Sequence, residues 1–242
     1  AACEPKPPIS CVAWGDPHMF AFGSSNNLLI RGSCWHTLTT DIGCPGYGDN
    51  KFAVLGKFKL KKSTADRSFI ERLRIKFNVD GTTVQFDLDQ GPTVYYTGST
   101  GVQEPVLDFP FARHDITISR NMDPNTNFGA EWATAIEVIT VAFPPDQMMI
   151  RWDGMTKVKI TLPPALHGHV CGMCGPIEDY TGDMLVGPHD LLQHDEPHCP
   201  AKAAGLLRHS YTYDVQEFAD SWYSKEADED QECLDECHPT TT

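Results

Sequence analysis

The stretch Trp14-Gly15-Asp16-Pro17-His18 carries side chains that could break the chain's own backbone. The Asp16 carboxylate can attack its own carbonyl carbon, and the proline nitrogen is a better leaving group than most. His18 could donate the proton that this nitrogen needs. Aspartate beside glycine and proline is equally typical of a turn. The stretch is therefore a turn, a metal site or a self-cleaving bond between Asp16 and Pro17, and we favour a turn that leads into the first strand.

A second reactive pattern is the Cys-x-x-Cys formed by Cys171 and Cys174. In disulfide oxidoreductases the first thiol of this pattern is activated at a helix N-terminus in a βαβ unit, and nothing in this chain reads as βαβ. Nine cysteines, at positions 3, 11, 34, 44, 171, 174, 199, 233 and 237, predict a disulfide framework in an oxidising compartment. Their odd number leaves at least one thiol free or bridged to another chain.

Histidines and carboxylates alternate in the segment 189–199. His189, His194 and His198 are candidate ligands for zinc or copper, because imidazole and carboxylate together suit those metals. Their spacings of five and four match no known ligand signature, and prolines leave the loop without a fixed face. We expect a solvated loop here and retain the three histidines as metal candidates.

Composition and charge limit the functions that remain. The formal net charge is -14, which disfavours nucleic acid and anionic membranes as partners. No apolar run approaches the roughly 18 residues that span a bilayer, and no N-terminal signal peptide is recognisable. The 242 residues predict an N-terminal extension over 1–10, one domain over 11–225 and an acidic, solvated tail over 226–242, pinned by Cys233.

Alternating patterns predict the strands that must position these residues. Residues 69–79 alternate apolar and basic side chains, Asp80-Gly81 predicts a turn, and residues 84–89 alternate apolar side chains with Gln85, Asp87 and Asp89. We expect a hairpin with one solvent-exposed face, on which bases oppose acids. Each such pair should contribute only a few tenths of a kcal/mol.

Four further strands are predicted at 115–119, 136–143, 148–152 and 157–162, and proline pairs follow the second and the fourth. Asp214 and Glu217 form a capping box, and Trp222 shares a helical face with the apolar residues that follow the cap. The predicted fold is all-β, a disulfide-tied antiparallel β-sandwich with a short C-terminal helix.

Four landmarks occur in a defined order, namely CVAWGDPHMFAF, RGSCW, CGMCG and EFADSW. In this order and spacing, from about residue 11 to 233, the chain resembles the von Willebrand factor type D domain family, as a single module. The resemblance implies three disulfides that close loops of a hundred residues or more, each stabilising by roughly 4 to 5 kcal/mol. The implied pairs are Cys11 with Cys174, Cys44 with Cys171, and Cys34 with Cys233.

The same resemblance implies a calcium site, with Glu178, Asp179 and Asp183 as candidate ligands. Pro176 stands where the family has an asparagine, and Gly23 and Ser24 interrupt the segment from which the family draws an aspartate. Calcium requires six to eight oxygen ligands, several of them anionic. Calcium is therefore a cofactor that we expect to bind weakly or not at all.

Three functions remain open at this level. The favoured one is a secreted, non-enzymatic structural or interaction module of the matrix, adhesive, egg-coat or mucus type, which contacts extracellular proteins, in part through the odd cysteine. The second is a small-molecule-binding or luciferase-like oxidative enzyme, because ostracod luciferases resemble two such modules. The third is a fragment of a larger lipoprotein. A large apolar cavity with converging polar groups would favour the enzyme.

Overall fold

The computed structural model describes residues 7–15, 18–23, 27–29, 34–42, 44, 51–60, 68–91, 93–123, 136–144, 147–166, 169–175, 222–224 and 226. Within these residues the chain forms two antiparallel sheets, whose strands we number β1 to β14 in chain order. A short 3-10 helix, Pro164–Leu166, follows the last strand. No helix in the described part is long and apolar enough to cross a membrane.

The first sheet has eight strands. In spatial order they are β10 (Phe111–Arg113), β11 (Ile116–Asp123), β12 (Ile136–Phe143), β13 (Met148–Trp152), β14 (Val158–Leu162), β1 (Ile9–Trp14), β2 (His18–Phe20) and β3 (Asn27–Leu29). The second sheet has six strands. In spatial order they are β4 (Cys34–Thr40), β5 (Phe52–Leu60), β6 (Ser68–Val79), β7 (Thr82–Asp89), β8 (Thr93–Thr97) and β9 (Gln103–Pro105).

The hydrophobic core lies between the two sheets. Phe77 of β6 meets Phe143 of β12 with ring centroids 5.4 Å apart, and Phe86 of β7 meets Phe111 of β10 at 6.2 Å. Trp152 of β13 is fully buried, and its indole Nε1 donates to the carbonyl oxygen of Asp89 across the sandwich at 3.1 Å. The predicted all-β sandwich is therefore confirmed.

The predicted hairpin is present as β6 and β7. Its turn residues Asp80 and Gly81 have φ values of 50° and 78°, the left-handed conformation that a two-residue hairpin loop requires. The register places Arg72 opposite Asp89 and Arg74 opposite Asp87, so the predicted pairing of bases with acids is confirmed.

The predicted solvent exposure of that pairing is wrong at its centre. Arg74 is 6% exposed and Asp87 2% exposed, because other parts of the chain cover this face. Trp35 of β4 lies 4.5 Å below the Arg74 guanidinium carbon, and Glu226 contacts Arg74 from the C-terminal side. Sequence alternation alone cannot reveal that other residues cover this face of the hairpin. Buried polar side chains along one face of a strand have the same sequence period as solvent-exposed ones.

The remaining strand predictions agree with β11, β12, β13 and β14, and the proline pairs do end β12 and β14. The longer strands β1, β4 and β5 were not predicted, and neither were the short strands β2, β3, β8, β9 and β10. The predicted helix falls on residues outside the described part except for Trp222, which lies in a turn. Glu226, the expected first residue of a solvated tail, is instead buried against β6, and the domain limits otherwise stay predictions.

Candidate functional site

The motif residues Cys171 to Cys174 lie along the outer edge of β4. Cys171 and Thr40 exchange both of their main-chain hydrogen bonds at 2.9 Å, and the amide of Cys174 donates to the carbonyl of Leu38 at 2.8 Å. On its other side the carbonyl of Cys174 accepts from the amide of Phe22, just after β2, at 2.9 Å. This short segment therefore connects the six-stranded sheet to the eight-stranded sheet.

Two disulfides fix the segment at both ends. Cys11 of β1 is bridged to Cys174 over a sequence separation of 163 residues, and Cys44 is bridged to Cys171 over 127 residues. These are two of the pairs that the resemblance implied. Cys34 is also disulfide-bonded, and its partner lies outside the described residues, as does Cys233. The pairing of Cys34 with Cys233 stays a prediction.

Gly172 lets the segment approach β4 this closely. Its φ is +132°, and a Cβ at this position would lie 2.5 Å from the carbonyl oxygen of Leu38. A side chain here would push the backbone of β4 away, so the glycine between the two cysteines is a packing requirement. Together with the two bridges, this accounts for the Cys-x-x-Cys spacing without redox chemistry.

An acidic side chain, that of Asp41, is buried at the end of β4. The carboxylate of Asp41 is 2% exposed and accepts the backbone N–H groups of Lys51 and Phe52 at 2.9 and 2.8 Å. Burial nevertheless raises the pKa of Asp41 above its usual value, because loss of solvent outweighs these hydrogen bonds. The carboxylate thereby ties the start of β5 to the strand that carries the disulfide junction.

The Trp14 to His18 stretch lies between two strands rather than at the start of the first one, so that part of our prediction is corrected. Trp14 ends β1, Gly15 turns with a φ of +63°, and His18 begins β2 opposite Trp14. The indole of Trp14 stacks on Phe20 at 5.0 Å and lies 5.5 Å from the Nζ of Lys157. The stretch therefore connects the first two strands of the eight-stranded sheet.

Self-cleavage at this connection stays a prediction, because Asp16 and Pro17 lie outside the described residues. The imidazole of His18 lies 5.8 Å from Trp14, between ring centroids. A cut between Asp16 and Pro17 would leave residues 1–16 attached through the bridge of Cys11 to Cys174. Loss of that fragment would thus be visible by mass only after reduction.

The resemblance implies that residues of two segments hold calcium, and the structure describes only the first of them. The hydrogen bond from Phe22 to Cys174 places residues 21–23 beside the cysteine that precedes the predicted calcium loop, whose residues from 176 onward lie outside the described part. Ala21, Phe22 and Gly23 contribute no side-chain oxygen, and Pro176 contributes none either. On this side the donor set does not suit calcium, which takes anionic oxygen ligands.

Glu178, Asp179 and Asp183 lie outside the described residues, and so do the three histidines His189, His194 and His198. Among the residues that are described, no group of three or more His, Cys, Asp or Glu side chains could hold a metal ion.

A cleft of about 440 Å³ adjoins Gly15 at one end of the sandwich. The turns of both sheets line it, and its lining residues are Gly15, Phe69, Gln90, Gly91, Gly154, Met155 and Thr156. The amide of Gly91 donates to the carbonyl of Gly154 at 2.8 Å and joins the two turns there. None of the lining side chains is titratable, so the cleft offers no acid, base or ionisable nucleophile.

The structure also contains a buried charge cluster that sequence reasoning missed. Arg74 donates to Asp87 at 2.7 Å and to Glu226 at 2.9 Å, and Lys76 donates to Glu226 at 2.8 Å. The amides of Gln85 and Gln103 donate to the second oxygen of Asp87, so its carboxylate is saturated with donors. The alternation of β6 and β7 indicated the Arg74–Asp87 pair, but no local signal indicates Glu226, which is 152 residues away from Arg74.

Comparison with known proteins agrees with this arrangement. The sequence model of the von Willebrand factor type D domain matches residues 11–190. The chain is 26% identical over 198 residues to the IgGFc-binding protein of Homo sapiens, covering 81% of this chain and 3% of that protein. It is 27% identical over 234 residues to zonadhesin of Sus scrofa, covering 96% of this chain and 8% of that protein.

The chain thus spans less than a tenth of the length of these relatives. The matched range contains the turn after β1, the strands of both sheets and the disulfide segment that joins them. Because the family model matches more than half of the chain, the chain belongs to the von Willebrand factor type D domain family.

Proposed function

We propose that the chain acts outside the cell as a non-enzymatic module that works through contacts with other proteins. The observation that carries this proposal is the double fixation of the Cys171 to Cys174 segment, which two long-range disulfides hold between the sheets. Bridges of this kind form and persist in oxidising compartments, and these two hold the segment in one position between the sheets.

The cleft beside Gly15 supports the same conclusion against the enzymatic alternative. It is lined by glycines, two apolar side chains, an amide and a hydroxyl. An oxidative or hydrolytic enzyme needs polar groups that converge on the reacting atoms, and usually titratable ones. A luciferase-like activity at this cleft therefore has less support than an interaction module.

The odd number of cysteines supplies a way for the module to associate. Cys3, Cys199 and Cys237 have no place in the pairing that the family resemblance implies. We expect one of them to bridge to a second chain and the other two to pair with each other. The net charge of -14 favours basic proteins or cations for the non-covalent contacts.

The experiment that tests this proposal is secretion of the chain from animal cells, followed by gels with and without a reductant. We expect a covalent dimer that collapses to a single 26.9 kDa species on reduction, since one unpaired cysteine can form only one bridge between chains. Serine replacements of Cys3, Cys199 and Cys237, made one at a time, serve as matched variants, and one of the three should abolish the oligomer. A secreted chain that stays monomeric in all forms and associates with no protein would contradict the proposal.

One partner can be tested directly. A relative is named for binding the Fc part of IgG, so immobilised Fc is a rational first probe, with the Fab part as control. Retention on Fc alone would identify the partner class for this chain. Equal retention on both would indicate contact through charge only, and would count against a specific Fc site.

A further inference from the structure

We propose that a basic row on the outer face of the eight-stranded sheet binds an acidic segment of another protein, in which an apolar side chain follows the acids. The basic row consists of Arg151 of β13, Lys159 of β14 and the residues aligned with them on the neighbouring strands, namely Ser119, Thr140, Val12 and Phe20. The inference names a surface and a partner chemistry for the proposed interaction function, and it rests on that function for its use outside the cell.

The strand register aligns these side chains across the sheet. Lys159 lies opposite Arg151 on one side and opposite Val12 on the other. Val12 in turn lies opposite Phe20 of β2, and Arg151 lies opposite Thr140 of β12. Neighbouring strands lie about 4.8 Å apart, so the point midway between Arg151 and Lys159 is about 12 Å along the row from Phe20. The row therefore presents positive charge and an apolar end at a fixed separation.

The basic row faces away from the core. Side chains alternate between the two faces along a strand, and the residues on either side of Arg151 and of Lys159 in the sequence all belong to the core cluster. Met149 lies two residues before Arg151, on the same face, and is 41% exposed. A partner can therefore reach this face of the sheet.

The two cations of the row lie directly opposite each other, an arrangement that destabilises a sheet. None of the residues that form the row is acidic. A guanidinium has five N–H donors and an ammonium has three, so Arg151 and Lys159 can bind a partner's carboxylate while they keep their contacts within the chain. A carboxylate placed between them would replace repulsion by attraction.

The apolar end of the row is built by two stacked rings. Trp14 of β1 stacks on Phe20 with ring centroids 5.0 Å apart and planes 7° apart. Both side chains are partly exposed, as is that of Val12 between them and the cations. An extended segment advances about 3.3 Å per residue and directs every second side chain to the same face. An apolar side chain four residues after an acid therefore lies about 13 Å from it, which matches the separation in the row.

A short protein segment fits the basic row better than a sulfated polysaccharide does. A polysaccharide carries anionic groups along its length, and the net charge of -14 repels those that extend beyond the row. A short segment can place its acids at the two cations alone. The row is thus a local exception to the preference for basic partners that the net charge gives the chain as a whole.

The test is a binding titration of the purified full chain with three labelled peptides. The first peptide carries two glutamates and, four residues after the second of them, a phenylalanine. The second peptide has glutamines in place of the glutamates, and the third has serine in place of the phenylalanine. We expect the unchanged chain to bind the first peptide about tenfold more tightly than the second and about threefold more tightly than the third.

A charge reversal in the row provides the matching change in the protein. Lys159→Glu should weaken binding of the first peptide about tenfold or more and remove its advantage over the second. The control, Lys59→Glu, makes the same charge change on the six-stranded sheet, where the Lys59 side chain is 53% exposed. This control should bind the first peptide as the unchanged chain does. Thermal unfolding of both variants shows that each is folded.

Equal affinity of the unchanged chain for the first and second peptides, or for the first and third, would overturn the inference. Equal affinity of the two variants for the first peptide would also overturn it. So would a chain that binds a heparin fragment through Lys159 but not the first peptide, since the partner would then be a sulfated sugar. Should Lys159→Glu fail to fold, the three peptides decide on the unchanged chain. Each of these results leaves the disulfide-based function standing, because the gels with and without a reductant test that function separately.

Discussion

Asp87 of the six-stranded sheet and Asp153 at the end of the eight-stranded sheet are both buried, but they are compensated in different ways. In the six-stranded sheet, Asp87 is 2% exposed and is neutralised by Arg74 on the neighbouring strand. At the end of the eight-stranded sheet, Asp153 is 5% exposed, and its Oδ1 accepts three backbone N–H groups from the turn that follows it. Its Oδ2 is buried without a hydrogen-bond partner.

The two carboxylates fix the structure over different distances along the sequence. The Arg74 cluster extends to Glu226 and so fixes a contact between residues 152 positions apart. The Asp153 carboxylate holds only its own turn, and burial raises the pKa of Asp153 because solvent loss outweighs the backbone hydrogen bonds. A charge pair thus determines where a distant segment docks, whereas a backbone-held acid determines how one turn is closed.

The largest effect is expected from removing the acid of the ion pair. Asp87→Ala leaves Arg74 buried with only Glu226 to compensate it, so the free energy of unfolding should fall by about 3 to 5 kcal/mol. Urea denaturation followed by tryptophan fluorescence measures this.

The matched control is Asp89→Ala, since Asp89 lies two residues further along β7, pairs with Arg72 and is more exposed. That variant should lose at most about 1 kcal/mol. Equal losses of stability in the two variants would show that the buried pair of Arg74 with Asp87 is worth no more than the more exposed pair of Arg72 with Asp89.

The second effect concerns pH. Because the folded state raises the pKa of Asp153 above 3.8, the folded chain binds this proton more tightly than the unfolded chain. The stability that this adds is fully present below pH 3.8 and is lost as pH rises through the raised pKa. Asp153→Asn keeps an oxygen for the three N–H groups and removes the charge.

The measurement is the free energy of unfolding of both proteins between neutral pH and pH 3.8. The unchanged chain should gain stability relative to Asp153→Asn as the pH falls. Asp41 and Asp89, whose pKa values burial also raises, are present in both proteins and cancel in the difference. A difference that does not vary with pH would mean that Asp153 is not desolvated in the way its burial indicates.

A smaller effect is expected on the outer face of the eight-stranded sheet. Arg151 of β13 lies directly opposite Lys159 of β14, so this face carries like charges in register where the other sheet pairs bases with acids. Lys159→Glu should stabilise the fold by about 0.2 to 1 kcal/mol, and Lys159→Gln by less. Thermal unfolding at about 0.15 M salt compares the three proteins. If Lys159→Glu destabilised the fold, an acidic group would already lie close to Arg151 and Lys159 on this face.

The smallest effect is expected from calcium. Residues 21–23 lie beside Cys174 without a side-chain oxygen, so we propose that calcium binds weakly or not at all. Addition of about 1 mM free calcium after chelation should raise the free energy of unfolding by less than about 0.4 kcal/mol. A larger gain would show that Glu178, Asp179 and Asp183 form a site without the missing ligands.

The sequence was sufficient to predict the hairpin of β6 and β7 because its period, its turn residues and its charge pattern agree with one another. The strands from β11 to β14 were predictable from their short apolar runs and from the turn and proline residues that follow them. The short strands β2 and β10 were not, since three residues show too little alternation and owe their conformation to the neighbouring strands.

The sequence predicted the candidate site only at its cysteines, which form covalent bridges. The two described disulfides join cysteines that the family resemblance had paired, and the glycine of the Cys-x-x-Cys segment is explained by its approach to Leu38. The burial of Arg74 was not predictable, because it depends on Trp35 and Glu226, which tertiary contacts bring to β6 from distant parts of the chain. Side chains that are covered by residues distant in sequence leave no periodic trace in sequence.

Disulfide mapping of the secreted chain tests the central claim most directly, by mass spectrometry of non-reduced peptides after thiols have been blocked. The claim is that a disulfide-fixed segment joins the two sheets into a rigid extracellular module. It predicts cross-linked peptides for Cys11 with Cys174 and for Cys44 with Cys171, and no blocked thiol at these four positions. Recovery of Cys171 and Cys174 as blocked thiols, or as a bridge to each other, would contradict it.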